Sequence, residues 1–236
     1  MIDLDDVSTW PDAVRSWVDE WAPRLHGTTE YTSDLAVPLE VEREFRALFA
    51  GAKLLGDHFT RLLDHEVDRI ITEGLEPLTA ELLAARIGDA RANGAIDADV
   101  AATLLEKNLV ATGNGAERTG KTCFVIGRGG LDSSVAGCND QVEYWGGEAI
   151  YRSSAAMKQL VRGIGRPAIV SAQVDVARKD VRTFPTLFRL FIGARLATHP
   201  AYGEMHVRGG ANAADIVGIY RPGEPEYDRF AGLPRS

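Results

Sequence analysis

At 236 residues, 45% hydrophobic and 25% charged, the chain is long enough to bury a real core and has the composition of an ordinary soluble globular protein. A net charge of −8 and a pI near 5.2 argue against general binding to polyanions or anionic membranes, and two cysteines, Cys123 and Cys138, imply neither a disulfide framework nor a metal-ligand spacing. No apolar run approaches membrane-spanning length, and Met1-Ile2-Asp3-Leu4-Asp5-Asp6 is acidic where a secretory signal is basic and then apolar, so the expectation is a cytoplasmic chain with no membrane partner.

Along residues 7–26, Val7, Trp10, Val14, Trp17, Val18, Trp21 and Leu25 recur at spacings of mostly three and four, which predicts an amphipathic helix with Ser8 or Asp12 as N-cap. Its three tryptophans are expected to pack against the neighbouring domain. Residues 40–50 continue as helix and end at Gly51. A short strand is predicted at 54–59, followed by a helix over 63–73 that Gly74 closes. Asp64, His65 and Glu66 read as a solvated helix end. Residues 78–110, rich in Ala and Leu, predict two helices around Gly94-Ala95-Ile96-Asp97, and 111–120 a Gly/Asn turn region. From residue 122 the character changes to β-type runs at 122–126, 168–176, 205–207 and 216–220, with an apolar helix around 187–196. Helices first and strands later, without regular βαβ alternation, predict an α+β fold. No internal repeat or low-complexity segment is present.

Charge is unevenly spread. Residues 1–50 carry eleven acids against four bases, and residues 152–195 nine bases against two acids. The second stretch is either a cationic surface for a dinucleotide phosphate or nucleic acid, or a solvated face balanced by the acidic N-terminus.

Gly115-Ala116-Glu117-Arg118-Thr119-Gly120-Lys121-Thr122 matches the phosphate-loop pattern GxxxxGK[ST]. That motif works through a glycine loop leading into a helix N-terminus. Here Cys123-Phe124-Val125-Ile126 predicts a strand instead, and no strand ending in a magnesium-binding Asp follows.

Three signatures carry the functional expectation. His58-Phe59-Thr60 precedes the helix that ends at Gly74-Leu75. Gly146-Gly147-Glu148-Ala149-Ile150-Tyr151-Arg152-Ser153-Ser154-Ala155 follows in the middle of the chain, and Glu204-Met205-His206-Val207 opens a late strand. In this order they resemble the His–Tyr–Glu triad of the ADP-ribosyltransferase fold, shared by poly(ADP-ribose) polymerases and the diphtheria-toxin group. The resemblance spans roughly residues 52–75 and 122–220. It implies a split β-sandwich catalytic domain over 51–236, with an N-terminal helical extension at 1–50 and a helical insertion at about 78–110.

It further implies NAD as substrate. His58 would bind the adenosine ribose, the Phe59 backbone the nicotinamide amide, and Thr60 would supply a hydroxyl. Tyr151 would stack on nicotinamide, while Gly146 and Gly147 allow close approach and Ser154 completes the NAD-binding set. Glu204 would stabilise positive charge at the anomeric carbon, and His206, on the same strand face, would aid acceptor deprotonation. Phe59 and Ala149 stand where the family has glycines, and Phe59 should narrow the nicotinamide pocket. Tyr202 occupies a position that the arginine-modifying subfamily fills with Glu or Gln, which argues against arginine as acceptor.

Single-domain bacterial enzymes of this fold are often toxins or defence effectors. The resemblance therefore implies a mono-ADP-ribosyltransferase acting on a macromolecular acceptor, nucleic acid or protein, with room for an antitoxin partner. Two alternatives stay open: a catalytically inactive interaction module of the same fold, and a P-loop nucleotide-binding protein through residues 115–122.

Overall fold

The first expected helix divides in two. The Asp6 carboxylate accepts the Ser8 amide at 3.0 Å and caps a 3-10 turn at Val7–Thr9; α1 then runs Asp12–Leu25. Neither Ser8 nor Asp12 is a cap, since Ser8 lies inside the turn and Asp12 is already helical. The computed structural model describes residues 1–25, 38–115, 118–127, 138–196, 201–230 and 233. The last residue of the expected first helix and residues 116–117 of the phosphate-loop pattern lie outside the described residues.

The remaining elements follow in order: α2 (Leu39–Ala47), β1 (Leu54–Leu62), α3 (Asp64–Glu73), β2 (Gly74–Leu75), α4 (Ala80–Ala92), α5 (Ala98–Lys107), β3 (Lys121–Ile126), α6 (Cys138–Glu143), α7 (Glu148–Tyr151), α8 (Ala155–Val161), β4 (Arg166–Val174), β5 (Val181–Phe184), α9 (Leu187–Leu196), β6 (Gly203–Arg208), β7 (Ala211–Asn212), β8 (Ile216–Tyr220) and α10 (Pro225–Asp228). Local chemistry fixes several ends. Thr79 and Asp97 cap α4 and α5 by accepting the amides of Leu82 at 3.0 Å and Val100 at 2.8 Å. Gly74, at φ +94, closes α3.

The fold is mixed α+β. Six strands form an antiparallel sheet in the order β5-β6-β3-β1-β4-β8, and β2 pairs with β7 in a small second sheet. β1 and β4 run together over nine register pairs, from Leu54↔Val174 to Leu62↔Arg166, whereas β1 and β3 share a single pair, Asp57↔Val125. The sheet therefore parts between its two central strands.

Two apolar cores hold most of the helices. In the first, α1, α2 and α9 pack on one sheet face. Trp10 lies 4.6 Å from Phe191, and Trp17 and Trp21 meet Phe188 edge-on at 5.1 and 5.7 Å. The tryptophans thus pack as expected, and the N-terminal helices share one core with the sheet. The second core joins α4 and α5, the helical insertion, to Trp145, Ile150, Tyr151 and Met157 of the glycine-tyrosine segment.

Candidate functional site

Where β1 and β3 part, a cavity of about 180 Å³ opens. Residues of β1, α3, α4 and β3 line it, and the Gly146–Ala149 turn completes the wall. It brings together His58, Phe59 and Thr60 with Gly146 and Gly147, two of the three signatures.

His58 spans the gap left by the missing backbone ladder. Its Nδ1–H donates to the Cys123 carbonyl at 2.8 Å, which fixes the tautomer. Nε2, left as an acceptor, has no hydrogen-bond partner among the described residues. Burial pushes the imidazole pKa down; the Cys123 hydrogen bond opposes this, and the nearby Arg86 charge adds to it. The ring is thus a neutral acceptor at the cavity wall. Thr60 lies two residues on, on the same strand face. Phe59 also borders the cavity, but its ring packs edge-to-face on Phe230 at 5.0 Å, in a cluster with Val142 and Ile169. Strand alternation turns this ring towards that cluster.

Gly146 and Gly147 adopt φ of +85 and +71, and Gly147 precedes the one-turn helix α7. That turn sends Glu148 to the cavity and Tyr151 away from it. Tyr151 is 2% exposed, tilted against Tyr144 at 5.5 Å in the second core, and does not line the cavity. Burial keeps its phenol well above the ordinary range and hence neutral. Ser154 caps α8, accepting the Met157 amide at 3.2 Å, and lies outside the cavity wall.

Glu204 is the second residue of β6, paired in register with Val125 of β3. It does not line the cavity but reaches it through Arg118. The Arg118 Nε lies 3.0 Å from Glu148 at the cavity wall, and its Nη1 lies 3.8 Å from Glu204. A second hollow shares Arg118, Glu148 and Ala149 with the cavity and is bounded by Leu109 and Arg152. His206 faces Glu204 at 3.0 Å, as strand alternation requires. Hydrogen bonds with Cys123 and Glu204 raise its pKa to about 9, so at neutral pH it is an imidazolium and not the base expected for acceptor deprotonation.

A buried network behind the glycines has little signature in the sequence. Glu66, expected to be solvated, is 6% exposed. It accepts the Leu63 amide at 2.7 Å, the Trp145 indole N–H at 3.0 Å and the Arg86 Nε–H at 2.6 Å, and the Arg86 guanidinium lies 5.3 Å from the Trp145 ring centroid. The one local signal was a Glu three residues past the Leu63 N-cap. His65, also expected in solvent, is half-buried at the cavity wall.

The basic stretch 152–195 is not a free cationic face. Six of its nine bases pair with carboxylates: Arg152–Glu148, Lys158–Asp140, Arg162–Glu143, Arg166–Asp64, Arg178–Asp180 and Arg195–Asp19. Lys121 of the phosphate-loop pattern opens β3 where that motif needs a helix, and the buried Thr122 donates its hydroxyl to the Glu76 carbonyl at 3.2 Å. Among the described residues no group of three or more His, Cys, Asp or Glu side chains could hold a metal ion, and no helix is long and apolar enough to cross a membrane. No protein-family model matches the chain, nor does any curated protein or solved structure match it significantly.

Proposed function

We propose that the chain is a mono-ADP-ribosyltransferase of the split β-sandwich class, acting in the cytoplasm on a macromolecular acceptor, with NAD as donor. The observation that carries this reading is the convergence of His58-Phe59-Thr60 and Gly146-Gly147, remote in sequence, on one cavity at the parting of β1 and β3. Ligand sites are commonly concave, with a few convergent polar groups, and this one fits that description.

In the reaction the bond between the nicotinamide nitrogen and ribose C1′ breaks. Its electron pair goes to the ring, which leaves neutral, while an acceptor nucleophile bonds to C1′ and gives up its proton to water. The chain's part is to hold the donor and stabilise positive charge developing at C1′. His58 Nε2 accepts a ribose hydroxyl. Glu148, at the wall, and Glu204, tied to it through Arg118, supply the carboxylate field. Tyr151 supports the wall from behind instead of stacking on nicotinamide. The second hollow, sharing Arg118 and Glu148, is the side from which an acceptor reaches C1′. With six bases of 152–195 in ion pairs, that stretch gives nucleic acid no preference over protein as acceptor.

The test is nicotinamide release from NAD by the purified protein, with His58→Ala and Glu204→Ala in parallel. Release that collapses in the folded variants is the expected result. No release and no calorimetric NAD binding would overturn the reading. One observation favours the inactive module instead: Arg118, Arg152 and His206 already engage both carboxylates. That reading predicts NAD binding without release under all acceptor conditions.

A further inference from the structure

Arg86 comes from α4, inside the 78–110 insertion for which the resemblance offers no counterpart. Its guanidinium is fixed along one edge only. Nε–H donates to Glu66 at 2.6 Å, and the Trp145 ring lies beside the group at 5.3 Å. The Glu66 carboxylate is itself held by the Leu63 amide and the Trp145 indole, so the plate cannot easily turn. Neither Nη1 nor Nη2 has a partner among the described residues, and Nη2 is buried. On the same cavity wall, His65 Nε2 is also buried and unpartnered. These two are the lining residues that leave a buried side-chain polar atom unsatisfied.

Buried donors without acceptors are rare and call for a missing partner. Other cations at the wall are engaged: Arg69 with Glu73 and Glu76, and Arg118 with Glu148. Net charge therefore does not select the ligand; the free two-nitrogen edge of Arg86 does. Such an edge matches two oxygens of a phosphate or carboxylate, and its prior fixation lowers the ordering cost.

We propose that Arg86, with His65 on the same cavity wall, forms the seat for a phosphate-type oxyanion, which in the transferase is the pyrophosphate of NAD. The identity of that ligand rests on the transferase reading; the seat itself does not. It places the phosphates under α4, His58 at a ribose and the Gly146-Gly147 turn further along the donor, and it gives the insertion a role in substrate binding.

The experiment is calorimetry on the full chain with ADP-ribose, inorganic pyrophosphate and nicotinamide as separate probes. Arg86→Lys keeps a charge for Glu66 but removes the planar fork. Expected are ADP-ribose and pyrophosphate binding by the wild type, an ADP-ribose affinity at least tenfold weaker in Arg86→Lys, and unchanged nicotinamide affinity. Wild-type failure to bind either phosphate probe would overturn the seat, as would equal ADP-ribose affinity in the folded variant, which would leave water as the partner of both atoms. Should Arg86→Lys not fold, His65→Ala decides, because it leaves the Glu66–Arg86 pair intact: at least threefold weaker binding supports the seat and an unchanged affinity overturns it. Phosphate binding through Arg86 without nicotinamide release sinks the transferase reading alone. NAD turnover with an unaltered KM in both variants sinks the seat alone.

Discussion

Trp145 and Glu66 are 79 positions apart, yet the indole Nε1–H donates to the Glu66 carboxylate at 3.0 Å beneath the glycine turn. The turn that borders the cavity is therefore anchored to the first helix after the central strand. Trp145→Phe removes one hydrogen bond to a charged group and should cost about 1.5–3 kcal/mol. Glu66→Gln takes the counter-charge from Arg86, whose side chain is 20% exposed, and should cost roughly 3–5 kcal/mol. Urea unfolding of both variants checks the order; equal stability of Trp145→Phe and wild type would mean that the bond holds nothing.

The same network has a pH signature. Burial pushes the Glu66 pKa up, but the Arg86 charge and the hydrogen bonds from Arg86, Leu63 and Trp145 outweigh it and hold the carboxyl below its ordinary 4.5. A depressed carboxyl contributes stability that is complete above the unfolded value and is lost as pH falls through the folded one. Acid unfolding monitored by Trp fluorescence should therefore start below pH 4.5, and Glu66→Gln should flatten that limb.

His206 has the opposite sign. Its pKa is raised to about 9, so its contribution is complete below 6.5 and fades as pH rises through about 9. A proton NMR titration should place the imidazole midpoint near 9. Cys123→Ala should lower it more than Glu204→Gln, since the Cys123 hydrogen bond is the larger cause. A wild-type midpoint near 6.5 would restore His206 as a neutral-pH base.

The legible parts of the sequence were those written in local periodicity. The two helices around Gly94, the helix at 187–196 and the late strands show in spacing and caps, because one element alone sets each signal. β5, four residues long, and α7, a single turn, are too short to carry a period and depend on tertiary pairing. Glu66 looked solvated because its partners Arg86 and Trp145 are 20 and 79 positions away. Tyr151 illustrates the converse: the glycines before it were legible as a site for close approach, but the direction of its ring depends on a helical turn that begins only at Glu148.

That placement can be tested directly. A buried ring whose hydroxyl is incidental tolerates loss of the oxygen but not of the ring. Tyr151→Phe should cost under about 1.5 kcal/mol, whereas Tyr151→Ala should cost roughly 3–5 kcal/mol through the cavity it leaves. Neither the KM for NAD nor nicotinamide release should move in the Phe variant. An Ala variant of native stability with a raised KM would instead put the ring on the substrate.

Gly146 and Gly147 separate backbone strain from steric room. At Gly147, with φ +71 and ψ −174, an added methyl meets no protein atom within 4 Å, so Gly147→Ala carries only the backbone cost, on the order of 1–3 kcal/mol. At Gly146, with φ +85, the methyl falls 2.3 Å from Cδ1 of the fully buried Ile150, adding a clash inside the second core. Thermal melts should therefore rank wild type above Gly147→Ala and Gly147→Ala above Gly146→Ala. Because Gly147 also borders the cavity, its folded variant should bind ADP-ribose more weakly through a methyl that occupies ligand space. Gly146→Ala melting above Gly147→Ala would mean that the turn does not press on Ile150, and the wall that Glu148 and Arg118 share would lose its rigid support.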